Sequence, residues 1–305
     1  MSFLAEILGR GIFAVTAEVG PPKGTERSII EKKCLQLRGY VDAVNITDNQ
    51  TAIVRLSSLA SCLIAQDCGI EPVMQMVCRD RNRIALQSDF LGACALGIEN
   101  ILCLTGDHQS MGNHPQAKNV FDVDSVQLLS IFHNMRDRKI FENGENLKGE
   151  VKVFLGAGEN PFADPMEFRV YRLAKKIQAG AQFIQTQAVF DVEAFSRFME
   201  EVRKMKLHER AFILAGVIPV KSIQAMHYMQ KEVPGLVIPQ YLVERMKRSE
   251  DPKEEGVKIC VEIIEELKRI EGVRGVHIMA IAWESIVPEI VKRSGLYPRP
   301  LREVE

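Results

Sequence analysis

Short apolar runs alternate with amphipathic segments along most of the chain. The apolar run at residues 11–18 ends at Gly20 and two prolines, and residues 25–38 then have the pattern of a helix. This strand-then-helix pattern occurs eight times. The predicted strands are 11–18, 41–46, 72–78, 100–104, 151–157, 182–186, 211–217 and 275–282. The helices that follow them are predicted at 25–38, 54–67, 82–96, 125–138, 165–179, 192–205, 222–231 and 286–294.

Alternating strands and helices predict parallel strand pairing with right-handed crossovers. Eight such units in a chain of this length favour a closed (β/α)8 barrel, a TIM barrel, over an open sheet. The absence of an early GxGxxG sequence also argues against a dinucleotide-binding sheet. Two further helices are predicted between strands seven and eight, at 239–248 and 252–270. We therefore expect one barrel domain over residues 1–305.

Composition and charge narrow the functional classes. The chain has 39 Lys and Arg against 40 Asp and Glu, a net charge of -1, which argues against nucleic acid or an anionic membrane as a main partner. The start lacks the pattern of a secretory leader, and no apolar run approaches the roughly 20 residues of a membrane span. A cytoplasmic location is expected. The seven scattered cysteines predict reduced core thiols, and the histidines show no metal-binding spacing, so no metal site is predicted.

Ionisable residues follow the apolar strands where a barrel enzyme carries its active site. Residues 100–108 show this best, because a buried strand ends in Gly106, Asp107 and His108. Glu18 lies between an apolar strand and a rigid Pro-Pro turn, so we expect a half-buried carboxyl with a raised pKa, suited to a general acid.

Three other aspartates at strand ends have a simpler interpretation. Asp48, Asp80 and Asp191 fit helix N-caps, since such residues are common in loops that begin a helix.

Four motifs give the chain a resemblance to a known family. They are TAEVGPPK at 16–23, LTGD at 104–107, AGAQFIQTQAVFD at 179–191 and AGVIPV at 215–220. Together, in this order and at strand ends, they resemble the methylenetetrahydrofolate reductase family over about residues 10–295. That family is a flavin-containing (β/α)8 barrel that reduces 5,10-methylenetetrahydrofolate to 5-methyltetrahydrofolate in one-carbon metabolism.

The resemblance implies roles for three residues. Glu18 matches the glutamate that assists opening of the imidazolidine ring, so that an N5 iminium forms and accepts hydride from flavin N5. Asp107 matches the aspartate near flavin and pterin, whose charge favours the cationic iminium. Gln187 matches the glutamine whose amide can both donate to and accept from the pterin. All three are expected to bind the folate substrate.

The resemblance also implies a flavin site. The expected contacts are Thr47, Asn49, Gln75, Thr105, Gly106, Asp107, Gly158 and Glu159. Gly158 replaces an aromatic residue that could stack on adenine, which favours FMN over FAD.

Departures from the family pattern bear on the electron donor. Thr105 replaces an arginine, Ile223 replaces an aromatic residue, and residues 277–284 differ from the usual end of strand eight. These changes remove surfaces expected to hold nicotinamide. The chain therefore resembles the anaerobic, acetogen-type branch, whose catalytic subunit pairs with a small zinc- and iron–sulfur-containing protein. We expect such a partner as donor, with NAD(P)H as the alternative, and an oligomer.

Two other functions remain open from the sequence. One is a pterin-binding barrel that transfers a methyl group without flavin, and the other is a non-catalytic scaffold subunit.

Overall fold

Eight parallel strands form a closed barrel in which each strand pairs with its neighbours in chain order and the last pairs with the first. This computed structural model describes residues 1–233 and 235–301. The strands are β1 (Ala14–Val19), β2 (Ala43–Ile46), β3 (Pro72–Val77), β4 (Asn100–Leu104), β5 (Phe154–Glu159), β6 (Phe183–Ala188), β7 (Phe212–Val217) and β8 (Val273–Ile278). The prediction of a (β/α)8 TIM barrel is confirmed.

One helix precedes the first strand, and the others lie between successive strands or after the last one. They are α1 (Phe3–Gly9), α2 (Arg27–Leu37), α3 (Ser58–Asp67), α4 (Arg83–Ala95), α5 (Ser125–His133), α6 (Arg169–Gln178), α7 (Val192–Lys204), α8 (Ile223–Glu232), α9 (Gln240–Arg248), α10 (Pro252–Leu267) and α11 (Val287–Arg293). The two extra helices predicted between the last two strands are α9 and α10. Side-chain caps fix several helix starts, as when Asn82 accepts hydrogen bonds from the first turn of α4.

Several predicted boundaries are wrong for identifiable reasons. Strand β8 ends at Ile278 and not at residue 282, since Ala282 has a left-handed φ of 49° that extended pairing does not allow. Helix α3 begins at Ser58 and not at residue 54, because Ser57 caps it by accepting from the N–H of Ala60. Helix α5 ends at His133, and a π-helical turn replaces its predicted last turn.

Helix α1 closes the amino-terminal end of the barrel. Its apolar residues Phe3, Leu4, Ile7 and Leu8 are buried against the first inward-facing side chains of the strands. Each fully buried side chain of this size contributes about 1.5–3 kcal/mol. The N–H groups of Phe3 and Leu4 donate to the carboxylate of Glu71 at 2.7 and 3.0 Å, which fixes the helix start. The carboxyl ends of the strands are left as the open face.

The apolar packing extends to the cysteines. Six of the seven are buried and Cys94 is half-buried, and all of them are free thiols, as predicted. Burial raises the pKa of the Cys34 thiol to about 12, so it stays protonated and unreactive at neutral pH. Across residues 1–233 and 235–301, no helix is long and apolar enough to cross a membrane.

Candidate active site

A cavity of about 400 Å³ lies at the carboxyl ends of the strands. Its size is in the range of small-ligand sites. Six of the residues predicted from the sequence line it: Glu18, Gln75, Thr105, Gly158, Glu159 and Gln187. The lining also includes polar or adaptable side chains that were not predicted to form the site: Arg169, Arg172, Lys176, Gln185, His277 and Met279.

Glu18 lies near the end of β1 with its side chain half-buried. Burial raises the pKa of its carboxyl above the ordinary value of 4.5. A hydrogen bond from Nε2 of Gln50 to Oε1 of Glu18, 2.9 Å long, opposes that effect, whereas the charge of Glu284 adds to it. The predicted half-buried carboxyl with a raised pKa is confirmed, and this group can donate a proton to a ligand in the cavity.

Gln187 lies at the end of β6, where its amide oxygen accepts a hydrogen bond from the N–H of Ala188 at 3.0 Å. That bond fixes the side chain at the edge of the cavity. Its NH2 group makes no hydrogen bond to any residue the structure describes. A bound ligand therefore meets a fixed amide with an unused donor.

Asp107 follows β4 at the same mouth, but its side chain is exposed and does not line the cavity. Gly106 directs the chain away with a left-handed φ of 92°, and a Cβ there would lie 3.1 Å from Cβ of Val77. Nη1 of Arg79 holds the carbonyl of Asp107 at 3.2 Å. The structure thus brings Glu18 and Gln187 together and leaves Asp107 at the rim.

Two other predicted cofactor contacts lie at the end of β2, outside the cavity lining. Thr47 is buried, and its hydroxyl oxygen has no hydrogen-bond partner. Asn49 has a left-handed φ of 44°, and its amide oxygen accepts from the N–H of Arg55 at 3.1 Å. The side chain of Asn49 therefore stabilises its own loop, whereas Thr47 keeps an unused hydroxyl.

The N-cap interpretation of the three aspartates holds for one of them. Asp191 caps α7 by accepting from the N–H of Ala194 at 2.8 Å. For Asp48 it is wrong, because that buried carboxylate accepts from the N–H of Val77 at 2.9 Å and pairs with Arg81.

The N-cap interpretation is also wrong for Asp80, whose carboxylate pairs with Arg79 at 2.6 Å. The carboxylates of Asp48 and Asp80 thus organise the loops after β2 and β3.

The floor of the cavity is a buried layer of hydrogen-bonded polar side chains that sequence analysis missed. Gln185 donates to Oδ1 of Asn45 at 3.1 Å and to the hydroxyl of Thr16 at 3.2 Å. Thr16 lies 2.9 Å from Nδ1 of His277. Burial lowers the pKa of His277 to about 3, so its imidazole is neutral. The available signal was the presence of polar residues inside otherwise apolar strands.

One wall of the cavity carries three cationic side chains from α6. Nζ of Lys176 is 2.9 Å from Oε2 of Glu159 and 2.6 Å from the carbonyl of Gly158. Arg169 donates to the carbonyl of Ala163 at 2.7 Å. Arg172 is exposed and makes no ion pair within the described part of the chain. Their spacing of three and four residues places them on one helix face, which was the missed signal.

The family model for methylenetetrahydrofolate reductase matches residues 4–295. The chain belongs to the methylenetetrahydrofolate reductase family. A Caenorhabditis elegans relative, a "Probable methylenetetrahydrofolate reductase (NADPH)", is 25% identical over 82% of this chain and 36% of the worm protein. The "5,10-methylenetetrahydrofolate reductase" of Pectobacterium carotovorum subsp. carotovorum is 22% identical over 77% of this chain and 73% of that protein. This chain spans a little over a third of the eukaryotic relatives it matches.

A solved structure from Clostridium thermocellum has the same fold. It is 17% identical, with a TM-score of 0.69 over 96% of this chain and 98% of that one. That protein is described as binding two copies of 5-methyl-5,6,7,8-tetrahydrofolic acid.

Proposed function

We propose that this chain, as a single domain over residues 1–305, reduces 5,10-methylenetetrahydrofolate to 5-methyltetrahydrofolate with the help of a bound flavin. The main support is that Glu18, whose half-buried carboxyl has a raised pKa, lines the same cavity as Gln187. Family membership and the folate ligand of the Clostridium thermocellum protein support a folate substrate.

Glu18 acts as the general acid in this proposal. Its carboxyl stays protonated to a higher pH than that of an exposed glutamate, and it delivers the proton that assists opening of the imidazolidine ring. Gln187 orients the pterin, because its NH2 group is free to donate to a ring acceptor. The neutral His277 and the amide of Gln185 form a floor that adds no net charge beneath the ligand.

The residues present fit a flavin. Gln75 lines the cavity, and its amide makes no hydrogen bond to any described residue, so it can bind a polar ring edge. Thr47 lies behind the cavity lining, where its buried hydroxyl lacks a partner. A Cβ at Gly158 would lie 3.1 Å from Leu104, so the cavity wall is already closely packed there. A bound flavin would supply the hydride that the folate receives. Asp107 lies at the rim, so it would act on the flavin and on the folate through its charge and not through direct contact.

The cationic wall of Arg169, Arg172 and Lys176 fits the phosphate of the cofactor. Lys176 is held by Glu159, but Arg172 has no carboxylate partner in the described part of the chain. A terminal phosphate carries more charge than a bridging one, which favours FMN over FAD, in line with Gly158 in place of a stacking residue.

For the electron donor we propose a small zinc- and iron–sulfur-containing partner protein. Met279 lines the cavity and Ile223 begins α8 half-buried, and neither side chain offers an aromatic surface on which nicotinamide could stack. Losing such a contact costs about 0.5–1.5 kcal/mol. NAD(P)H is the alternative donor.

Anaerobic purification from the source, followed by cofactor extraction, tests this function. We expect a yellow protein that releases FMN, co-purifies with an iron–sulfur subunit and reduces methylenetetrahydrofolate with reduced viologen but poorly with NADH or NADPH. A colourless protein that transfers a methyl group would instead support the methyltransferase alternative. Rapid, saturable flavin reduction by NADH in the isolated chain would contradict the proposed donor.

A further inference from the structure

A second buried carboxylate lies near Glu18 and is unused by the proposed chemistry. Glu284 is only 9% exposed and begins a short 3-10 helix, Glu284–Ile286, after β8. Nζ of Lys33, from α2, lies 2.6 Å from Oε1 of Glu284 and donates to the carbonyl of Gly20 at 3.1 Å. The ion pair therefore ties the chain after β8 to the chain just beyond Glu18.

Other groups around Glu18 have defined effects on its charge. Gln50 donates to its carboxylate, and the cations Lys33 and Arg55 favour its ionised form. Arg55 is itself held by the carbonyl of Pro21 at 3.0 Å. Whereas these two cations favour ionisation of Glu18, the charge of Glu284 opposes it.

Two basic groups nearby do not offset Glu284. His277, in the same cavity, is neutral, because burial lowers its pKa to about 3. Lys221 donates to the carbonyl of Ala282 at 2.6 Å and lies over the ring of Trp283, with no ion pair to Glu284 in the structure described.

We propose that Glu284, fixed by Lys33, is a positioning residue that keeps Glu18 in the protonated form from which it delivers its proton. The proposal rests on the proposed function, in which Glu18 is the general acid. Without Glu284, two neighbouring cations and a hydrogen-bond donor would act on Glu18 with only burial to oppose them. When Glu284 is present, its negative charge neutralises the cation of Lys33, which would otherwise favour ionisation of Glu18.

The arrangement predicts opposite effects for the two members of the pair. Glu284→Gln leaves the cation of Lys33 unpaired beside Glu18, so the pKa of Glu18 should fall. Lys33→Met leaves the anion of Glu284 unpaired, so the pKa of Glu18 should rise. Each change should amount to about half a pH unit or more, since charges separated by several ångströms in a partly buried site interact by that amount.

The test is the pH dependence of folate reduction with reduced viologen as donor. Activity is expected to fall at high pH as Glu18 loses its proton, and this fall is the alkaline limb of the pH profile. Glu284→Gln should move the alkaline limb to lower pH, and Lys33→Met should move it to higher pH. Glu289→Gln, in an exposed pair with Arg293, is the matched control and should leave the limb unchanged. Lys33→Gln is measured alongside, since it keeps a donor for the Gly20 carbonyl.

If the alkaline limb stays in place in Glu284→Gln and Lys33→Met, or moves in the same direction in both, the proposal is overturned even if turnover falls. If no Lys33 variant folds, the shift in Glu284→Gln decides alone.

A second readout separates this proposal from the function on which it rests. The infrared carbonyl band of protonated Glu18, identified by its loss in Glu18→Gln, is titrated with pH in the protein as purified. If Glu18→Gln keeps full turnover, the assigned acid role fails, but the band still reports whether Glu284→Gln lowers the pKa of Glu18. An unmoved band would reject the role of Glu284 independently of activity.

Discussion

Nζ of Lys176 lies 2.9 Å from Oε2 of Glu159, and both side chains are almost fully buried in the wall of the cavity. The pair joins α6 to the end of β5. Because the lysine neutralises the glutamate, the wall is left with the charge of Arg169 and Arg172 for an anionic ligand. The pair therefore leaves no unpaired charge buried in this part of the wall, and it sets the charge that the site offers to a ligand.

Breaking this pair should destabilise the protein strongly. Lys176→Met leaves the Glu159 carboxylate buried without its cation, which costs about 3–5 kcal/mol in the free energy of unfolding. The double variant Lys176→Met with Glu159→Gln removes both charges and should recover most of that loss. Denaturant unfolding of the flavin-free proteins measures both values. A double variant as unstable as the single one would show that the pair is not the cause.

Arg172 should bind the cofactor phosphate without stabilising the fold. Arg172→Gln should change the free energy of unfolding by less than about 0.5 kcal/mol, because the side chain is exposed. It should weaken FMN binding roughly tenfold, the loss of one charge-assisted hydrogen bond. Riboflavin, which lacks the phosphate, should bind the variant and the parent equally.

Lys175→Gln, an exposed residue on the same helix that does not line the cavity, is the control for that measurement. Equal loss of FMN and riboflavin binding in Arg172→Gln would place the phosphate elsewhere.

Asp107→Asn tests whether a rim carboxylate acts on the site by its charge. Removing the negative charge should make the flavin easier to reduce, yet slow hydride transfer to the folate, whose iminium is cationic. Redox titration and single-turnover kinetics measure the two effects. If both the potential and the folate rate stay unchanged, Asp107 has no part in the site, in keeping with its exposed side chain.

Stability should depend on pH through Glu18. The pKa of Glu18 in the folded protein is raised above 4.5. Its contribution to the free energy of unfolding is therefore fully present below pH 4.5 and is lost as the pH rises through the pKa of the folded state. Glu18→Gln removes the cost of burying the ionised form, so its Tm should exceed that of the parent at pH 8 and lose this advantage at pH 4. Glu289→Gln should show no such pH-dependent difference in Tm. A pH-independent difference in Tm would show that burial of the charge is not the cause.

The sequence predicted the barrel and part of the site because both depend on local patterns. Strand β4 was predicted to the residue, since a nearly unbroken apolar run ends just before Thr105 and Gly106. Glu18 was found because apolar residues and two prolines flank it. Helix α1 was not predicted: it is short, and its apolar residues gain stability only against the closed barrel end.

The rest of the site depends on contacts between distant segments. The hydrogen bonds among Thr16, Asn45, Gln185 and His277 require the register of four strands, which single-segment patterns do not contain. The position of Asp107 depends on the turn at Gly106, whose left-handed φ moves the side chain to the rim. Likewise, Lys33 and Glu284 are 251 residues apart in the chain and meet only because β8 closes on β1.

The role of Glu18 as proton donor is tested most directly by folate reduction in Glu18→Gln, with reduced viologen as the donor. The substitution keeps the shape and hydrogen bonding of the side chain but removes its transferable proton. Turnover should fall by roughly 10²–10⁴-fold, the range typical of a lost general acid, while flavin binding is retained. Near-full turnover in Glu18→Gln, with the flavin bound as in the parent, would contradict the account.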